Sequence, residues 1–281
     1  MMTILITGSK GQLGMELQKL LDEKGMNYTA TDSGEMDITN KTAVDAFFQK
    51  VNPTLVFHCA AYTAVDKAED EGKDLNEKVN AIGTKTIAEA AEAHGAVMVY
   101  ISTDYVFDGN NSKEYTEIDQ ANPQNEYGRM KYEGEQWVQN ICSKYYIIRT
   151  SWVFGEFGNN FVYTMLRLAK THPVLTVVDD QIGRPTWTRT LAAFMLHLLD
   201  TDAVFGLYHL SNDGSCSWYE FACEILKDYD VEVKPVSSAE YPQKAYRPKH
   251  SIMDLSKAKA TGFQIPTWKE ALSQFIDSID A

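Results

Sequence analysis

The stretch Gly8-Ser-Lys-Gly-Gln-Leu-Gly14 constrains this chain more than any other. It reads G-x-x-G-x-x-G. It follows the β-branched run Thr3–Thr7 directly and leads into the amphipathic run Gln12–Lys24, with Leu13, Leu17, Leu20 and Leu21 on one stripe. A strand that turns this sharply into a helix opens a βαβ unit. Gly8 permits the tight turn, Gly11 lets the backbone approach a pyrophosphate, and Gly14 lets the helix pack close to the strand. The helix N-terminus then offers free N–H groups and a partial positive charge to the phosphates. Glycine is also ordinary turn punctuation. The strand–turn–helix context is what converts the pattern into a dinucleotide site. The chain is therefore expected to hold a nicotinamide cofactor, with Gly8, Gly11, Gln12, Leu13 and Gly14 around it.

The same alternation continues along the first half. Tyr28–Thr31, Thr54–His58, Val97–Ser102 and Tyr145–Arg149 read as strands. Thr39 or Asn40 caps a helix through Lys50, a long helical stretch ends near His94–Gly95, and Tyr127–Cys142 is helical. Strands alternating with helices imply a parallel sheet with right-handed crossovers. Several of the strands are apolar on both faces, as a doubly covered sheet requires. Beyond about residue 150 the alternation weakens, and Trp, Pro, Gly and Asn become frequent. The expected fold is α/β: a Rossmann-type doubly wound parallel sheet over residues 1–150, binding NAD(P), and a smaller α/β substrate-binding lobe over 151–281, with the chain free to cross between lobes. With 281 residues, 44% of them hydrophobic, the chain can build such a core.

A formal net charge of −13 repels a phosphate backbone, so neither nucleic acid nor an anionic membrane is an expected partner. The four cysteines, at 59, 142, 216 and 223, have no metal-ligand spacing and read as buried thiols in a reducing compartment. No apolar run approaches the ~18 residues of a membrane span. The N-terminus runs straight into a strand with no leader pattern. The expected location is the cytoplasm.

Two features carry chemistry. Asp32 ends the second strand 18 residues beyond Gly14. There a carboxylate accepts hydrogen bonds from the adenosine ribose and repels a 2′-phosphate, favouring NADH over NADPH; the other reading is a turn residue before Ser33-Gly34. Tyr127-Gly-Arg-Met-Lys131 is a Y-x-x-x-K at the start of a helix, which puts both side chains on one face. A free phenol has a pKa near ~10, and a neighbouring ammonium stabilises the phenolate, so the pair suits acid/base work. Ser102-Thr103 ends the fourth strand, 24 residues before Tyr127. Ligands of open parallel sheets bind beyond the carboxyl ends of the strands, so Thr103 completes a Thr/Tyr/Lys set.

The chain resembles the dTDP-4-dehydrorhamnose reductases. The resemblance rests on Gly8–Gly14, His58-Cys-Ala-Ala-Tyr-Thr-Ala-Val-Asp-Lys-Ala-Glu69, Ser102-Thr-Asp-Tyr-Val-Phe-Asp-Gly109, Tyr127–Lys131, Arg149-Thr-Ser-Trp-Val-Phe-Gly155, Asn160-Phe161 and Ala245-Tyr-Arg-Pro248. It implies a hydride transfer from NADPH or NADH to the C4 ketone of dTDP-4-dehydro-β-L-rhamnose. Tyr127 would supply the proton, Lys131 would hold the cofactor ribose, and Thr103 would polarise the ketone. It also implies that Gly11–Leu13, Asp37, Ile38, Ala61, Tyr62, Thr63 and Tyr100 lie around the cofactor. Thr103, Asp104, Tyr105 and Trp152 would lie around the sugar nucleotide. Trp152 suits an apolar wall on its own chemistry. A pyrophosphate on an acidic protein needs local cations, and Arg184 and Arg247 are the candidates. Asn80 either anchors the site through a helix kink or is a plain helix polar residue.

Some members of that family join as dimers through magnesium. Glu16 matches the first acidic position, but Arg189 falls at the second, where a cation repels the metal. A monomer or weak homodimer without Mg2+ is therefore expected. Two alternatives remain from sequence: a non-catalytic nucleotide-binding subunit like the regulatory subunit of methionine adenosyltransferase, and an NDP-sugar epimerase or dehydratase. Intact Thr103, Tyr127 and Lys131 speak against the first. The Asp104-Tyr105 pair leaves the dehydratase pattern incomplete.

Overall fold

The computed structural model describes residues 2–280. The first βαβ unit runs β1 (Ile4–Thr7), α1 (Gln12–Glu23) and β2 (Tyr28–Thr31). α2 (Lys41–Val51) follows, capped by the Asn40 side chain, which accepts from the Ala43 N–H. β3 (Leu55–His58), β4 (Val97–Thr103) and β5 (Tyr145–Thr150) complete the first half, with α5 (Glu126–Ile141) between the last two. The expected elements are all present, with bounds displaced by about one residue.

The one element read differently is the long helical stretch before His94. It is broken into a 3₁₀ turn (Lys67–Glu69), α3 (Lys73–Asn76), a π-helical turn (Glu77–Gly83) and α4 (Thr84–Ala93). The cause is Asn80, whose side chain leaves the helix to serve the Tyr62 backbone: Oδ1 accepts from its N–H at 3.0 Å and Nδ2 donates to its carbonyl at 2.8 Å. Of the two sequence readings of Asn80, this is the kink, in the form of a π-bulge.

The second half contains β6 (Val153–Phe154), α6 (Phe161–Ala169), β7 (Val174–Val178), β8 (Ile182–Gly183), β9 (Thr186–Trp187), α7 (Thr188–Asp200), β10 (Gly206–His209), β11 (Cys216–Ser217), α8 (Trp218–Ile225), β12 (Glu232–Val236), α9 (Ser256–Ala260) and α10 (Trp268–Asp280). β10 does not stay in the second lobe. It pairs in parallel with β5, giving a six-stranded parallel sheet in the order β10-β5-β4-β3-β1-β2. α1 and α7 cover one face, where Leu17, Leu21, Leu191, Phe194 and Leu198 share a core with Ile4, Ile6 and Phe57. α2, α4 and α5 cover the other. The chain thus crosses back after residue 187 to finish the first layer, so a cut at 150 separates sequence rather than structure. A separate core of Phe154, Val162, Phe221, Leu272 and Phe275 holds the small sheets and helices of the second lobe.

Strand order reverses at β1/β3, because the chain winds outward to β2 and then restarts on the far side of β1. In such sheets the crevice lies at the carboxyl ends of the strands beside the reversal. Among the described residues no helix is long and apolar enough to cross a membrane.

Candidate active site

The glycine turn has the shape its sequence requires. Gly8 adopts φ +65°, and a Cβ there would stand 2.5 Å from the Ala60 backbone. A Cβ on Gly14 would stand 2.2 Å from the Gly8 carbonyl, so only glycine lets α1 start this close to β1. These two residues shape the turn from behind, while Gly11, Gln12 and Leu13 line a cleft of about 640 Å³ at the strand ends. Ala61 and Thr63 join them, held in place by Asn80 acting on the intervening Tyr62.

The other end of the cleft is formed by Thr103, Asp104 and Tyr105 after β4 and by Tyr127 and Lys131 on α5. Asn125 caps α5 through the Gly128 N–H at 2.7 Å and ties its start to the Tyr246 carbonyl. Gly128 lies against the Tyr105 carbonyl with no room for a Cβ. Tyr127 and Lys131 therefore face the cleft one turn apart from a fixed helix start. Thr103 Oγ1 accepts from the Tyr105 N–H and donates to Asp104 Oδ1, both at 3.1 Å. The Tyr105 and Tyr127 rings meet edge to face.

Electrostatics at this end follow from burial. Removal from water, and after it the Asp104 charge, push the Tyr127 phenol well above its ordinary pKa. Burial pulls the Lys131 ammonium down to about 7, opposed by the Glu135 charge. Burial raises the Asp104 carboxyl to about 6. One expectation is corrected here: Lys131 does not stabilise a Tyr127 phenolate. Its ammonium stands over the Tyr100 ring, 4.2 Å from the centroid, and Tyr127 is kept protonated. His58 lies behind Lys131, between the Thr7 and Thr84 hydroxyls; burial, then the Lys131 charge, lower it to about 3, so it is neutral.

Other predicted residues stand outside the lining. Tyr100 is fully buried behind Lys131, its hydroxyl donating to the Lys131 carbonyl. Ile38 packs beneath Gly83. The Asp37 carboxylate accepts from the Thr39 N–H and hydroxyl. Asp32 accepts from the N–H groups of Ser33 and Lys10, so its hydrogen bonds are those of the turn reading. Arg184 is corrected more firmly. Its guanidinium donates to the Gly214 and Met253 carbonyls and to Glu114, is nearly buried, and has no free arm for a phosphate. Arg247 also stands away from the lining, behind Tyr105, with one arm on Asp66 at 3.1 Å. Arg189 lies 3.4 Å from Glu16 and also pairs with Glu23.

Several residues went unread in the sequence. Glu135, one turn beyond Lys131, forms a buried two-pronged pair with Arg149 at 2.8 and 2.6 Å; a Y-x-x-x-K-x-x-x-E spacing was its only sign. Lys10, Cys59, Asn159 and Trp218 line the cleft as well. Three buried polar atoms around it, Ser102 Oγ, Asp104 Oδ2 and Thr150 Oγ1, have no protein hydrogen-bond partner. Such atoms suit a ligand rich in hydroxyls.

Comparison with known proteins places this geometry. The RmlD substrate binding domain family matches residues 2–281. A dTDP-4-dehydrorhamnose reductase of Aggregatibacter actinomycetemcomitans is 41% identical, over 97% of both chains. A crystal structure of dTDP-4-dehydrorhamnose reductase from Bacillus anthracis in complex with NADP is 44% identical, covers 99% of both chains and superposes with a TM-score of 0.95. A dTDP-4-dehydrorhamnose reductase ortholog from Clostridium acetobutylicum is 47% identical, covers 100% of both chains and has a TM-score of 0.96.

Proposed function

The chain belongs to the RmlD substrate binding domain family, and from that premise we propose how it works as an NAD(P)H-dependent reductase of the C4 ketone of dTDP-4-dehydro-β-L-rhamnose, yielding dTDP-β-L-rhamnose. The observation that carries the reading is the convergence of the glycine turn with Thr103, Tyr127 and Lys131 on one cleft. The turn fits a dinucleotide: its backbone approaches where a Cβ would collide, and α1 opens toward the cleft.

Bound there, the reduced nicotinamide supplies a hydride. Tyr127 supplies the proton. Its hydroxyl is protonated at neutral pH, as a phenol ordinarily is, which is the state a donor to a developing alkoxide must be in. Lys131, which lines the cleft, is the residue to hold the cofactor ribose. Thr103 polarises the ketone by turning its proton from Asp104 to the carbonyl oxygen. Asp104, Thr150 and Ser102 offer their unpartnered oxygens to the sugar hydroxyls, and Trp152 lies against its apolar side. Gly11, Gln12, Leu13, Ala61 and Thr63 hold the dinucleotide. The acidic pair Asp32 and Glu35, with the Lys10 ammonium 3.4 Å from Glu35, favours NADH. Arg189, set on Glu16 and Glu23, supports an enzyme that works without a bridging metal, as a monomer or weak dimer.

The test is a turnover assay with enzymatically made dTDP-4-dehydrorhamnose and each cofactor supplied separately. Stoichiometric loss of NADH or NADPH with formation of dTDP-rhamnose is expected. Conversion of an NDP-sugar with no net loss of cofactor would establish an epimerase or dehydratase instead. Binding without turnover would establish a non-catalytic subunit.

A further inference from the structure

We propose that Trp218 is a specificity-determining positioning residue, the backing indole of a two-ring platform whose other ring, Trp152, takes the apolar face of the deoxysugar ring; the inference rests on the sugar-nucleotide reading above. Trp152 and Trp218 come from segments 66 residues apart that pack against the same second-lobe core. Trp152 follows β5, two residues past Thr150, which is the register partner of Thr103. It thus stands beside the reacting end of the cleft. Trp218 is the first residue of α8, whose start is locked by a capping box between Ser217 and Glu220. The Ser217 hydroxyl also donates to Asp179 at 2.5 Å.

The two indoles stack face to face, with centroids 3.6 Å apart and planes 12° from parallel, and both line the cleft. The outer side of Trp218 meets Phe161 at 4.7 Å. Trp152 has φ +47°, a left-handed conformation that a bulky side chain adopts only when its surroundings impose it. Two neighbours impose it. Trp218 covers one face, and Gly183 receives the edge, where a Cβ would fall 2.6 Å from Trp152 Cε2. Trp218 thus backs Trp152 and holds it in its strained pose, with the opposite face of Trp152 left for the ligand. A flat apolar surface beside the reacting centre suits the C–H and methyl face of a 6-deoxyhexose, because burial there costs no hydrogen bond.

Binding of dTDP-L-rhamnose and of dTDP alone, measured calorimetrically, tests this. Trp218→Ala is expected to weaken dTDP-L-rhamnose about tenfold, the size of one lost apolar contact, and to leave dTDP within about twofold. Trp218→Phe should recover most of that loss, since a flat ring still covers Trp152. Gly183→Ala, which leaves Trp218 intact and pushes Trp152 aside, should show the same selective loss. The wild-type protein should give an indole exciton couplet in far-ultraviolet circular dichroism that Trp218→Ala abolishes. Unchanged affinity for dTDP-L-rhamnose in Trp218→Ala or in Gly183→Ala overturns the proposal. So does equal weakening of dTDP, which would assign the platform to the nucleotide, or a wild-type spectrum with no couplet. Failure of the reductase reading shows separately, as absence of turnover in the wild-type protein while these binding results stand.

Discussion

The deep end of the cleft and the turn after β2, which stands outside its lining, both lie at strand ends of one sheet, yet they treat charge in opposite ways. At the deep end Tyr127, Lys131 and Asp104 are enclosed. Burial is the largest influence on each, displacing every one toward its neutral form. At the turn after β2 Glu35 is exposed and Asp32 half-buried. Burial works against the Asp32 charge, but the N–H groups of Ser33 and Lys10 outweigh it and hold its carboxyl below the usual range. Glu35 is lowered by the Asp32 N–H and then by Lys10. The difference teaches what each end can do. Proton transfer to a carbonyl oxygen needs a phenol held in place, protonated at neutral pH as any phenol is, and burial sets a lysine close to its neutral point on the same helix face. Discrimination between cofactors needs only a fixed sign of charge, which a wet turn supplies cheaply.

The largest effect should come from removing the one proton donor at the dry end. Tyr127→Phe is expected to lower kcat by about 10²–10⁴-fold with cofactor affinity within about twofold, as read by NADH fluorescence titration. Near-wild-type turnover would break the assignment of chemistry to that end. Next in size is a pH effect with a definite sign. The Lys131 ammonium, depressed to about 7, is charged below that pH and loses its proton as pH rises through it. Affinity of the free enzyme for NADH should therefore fall above pH 7, by up to about tenfold per unit. A flat profile from pH 6 to 9 would show that this cation does not bind the cofactor.

Smaller again is the change expected at the wet end. Asp32→Ala should shift the NADPH/NADH ratio of kcat/KM toward NADPH by about fivefold, a modest value because a partly exposed charge is screened. An unmoved ratio would reduce Asp32 to the turn its hydrogen bonds describe. Smallest is the effect expected outside the cleft, where Glu16 faces Arg189: EDTA should leave turnover unchanged. Abolition by EDTA and restoration by magnesium alone would contradict that.

Legibility in the sequence divides along similar lines. The glycine turn, the Thr103 strand end and the Tyr127/Lys131 pair were readable because each rests on short spacing within one element, and the helix and strand periods set which side chains share a face. The break at Asn80 was half readable. A polar residue in a helical run signals nothing by itself; its π-bulge depends on the Tyr62 backbone lying opposite. Arg184 shows the reverse error. An arginine in a Gly-Arg-Pro turn looks available for phosphate, but carbonyls of Gly214 and Met253, 30 and 69 residues away, consume its donors. Trp218 was missed for the same reason, since Trp152 is its partner only through tertiary packing of distant segments.

The sequence by itself determined the βαβ order, the glycine turn and the acid/base set, because these follow from local periods and from residue chemistry at fixed offsets. The tertiary structure alone decided that α7 and β10 return to complete the first layer, that burial raises the Tyr127 pKa while Lys131 turns to the Tyr100 ring, and which cations are free. Those outcomes depend on which distant groups exclude water from a side chain or accept its hydrogen bonds, and no local pattern records such partners.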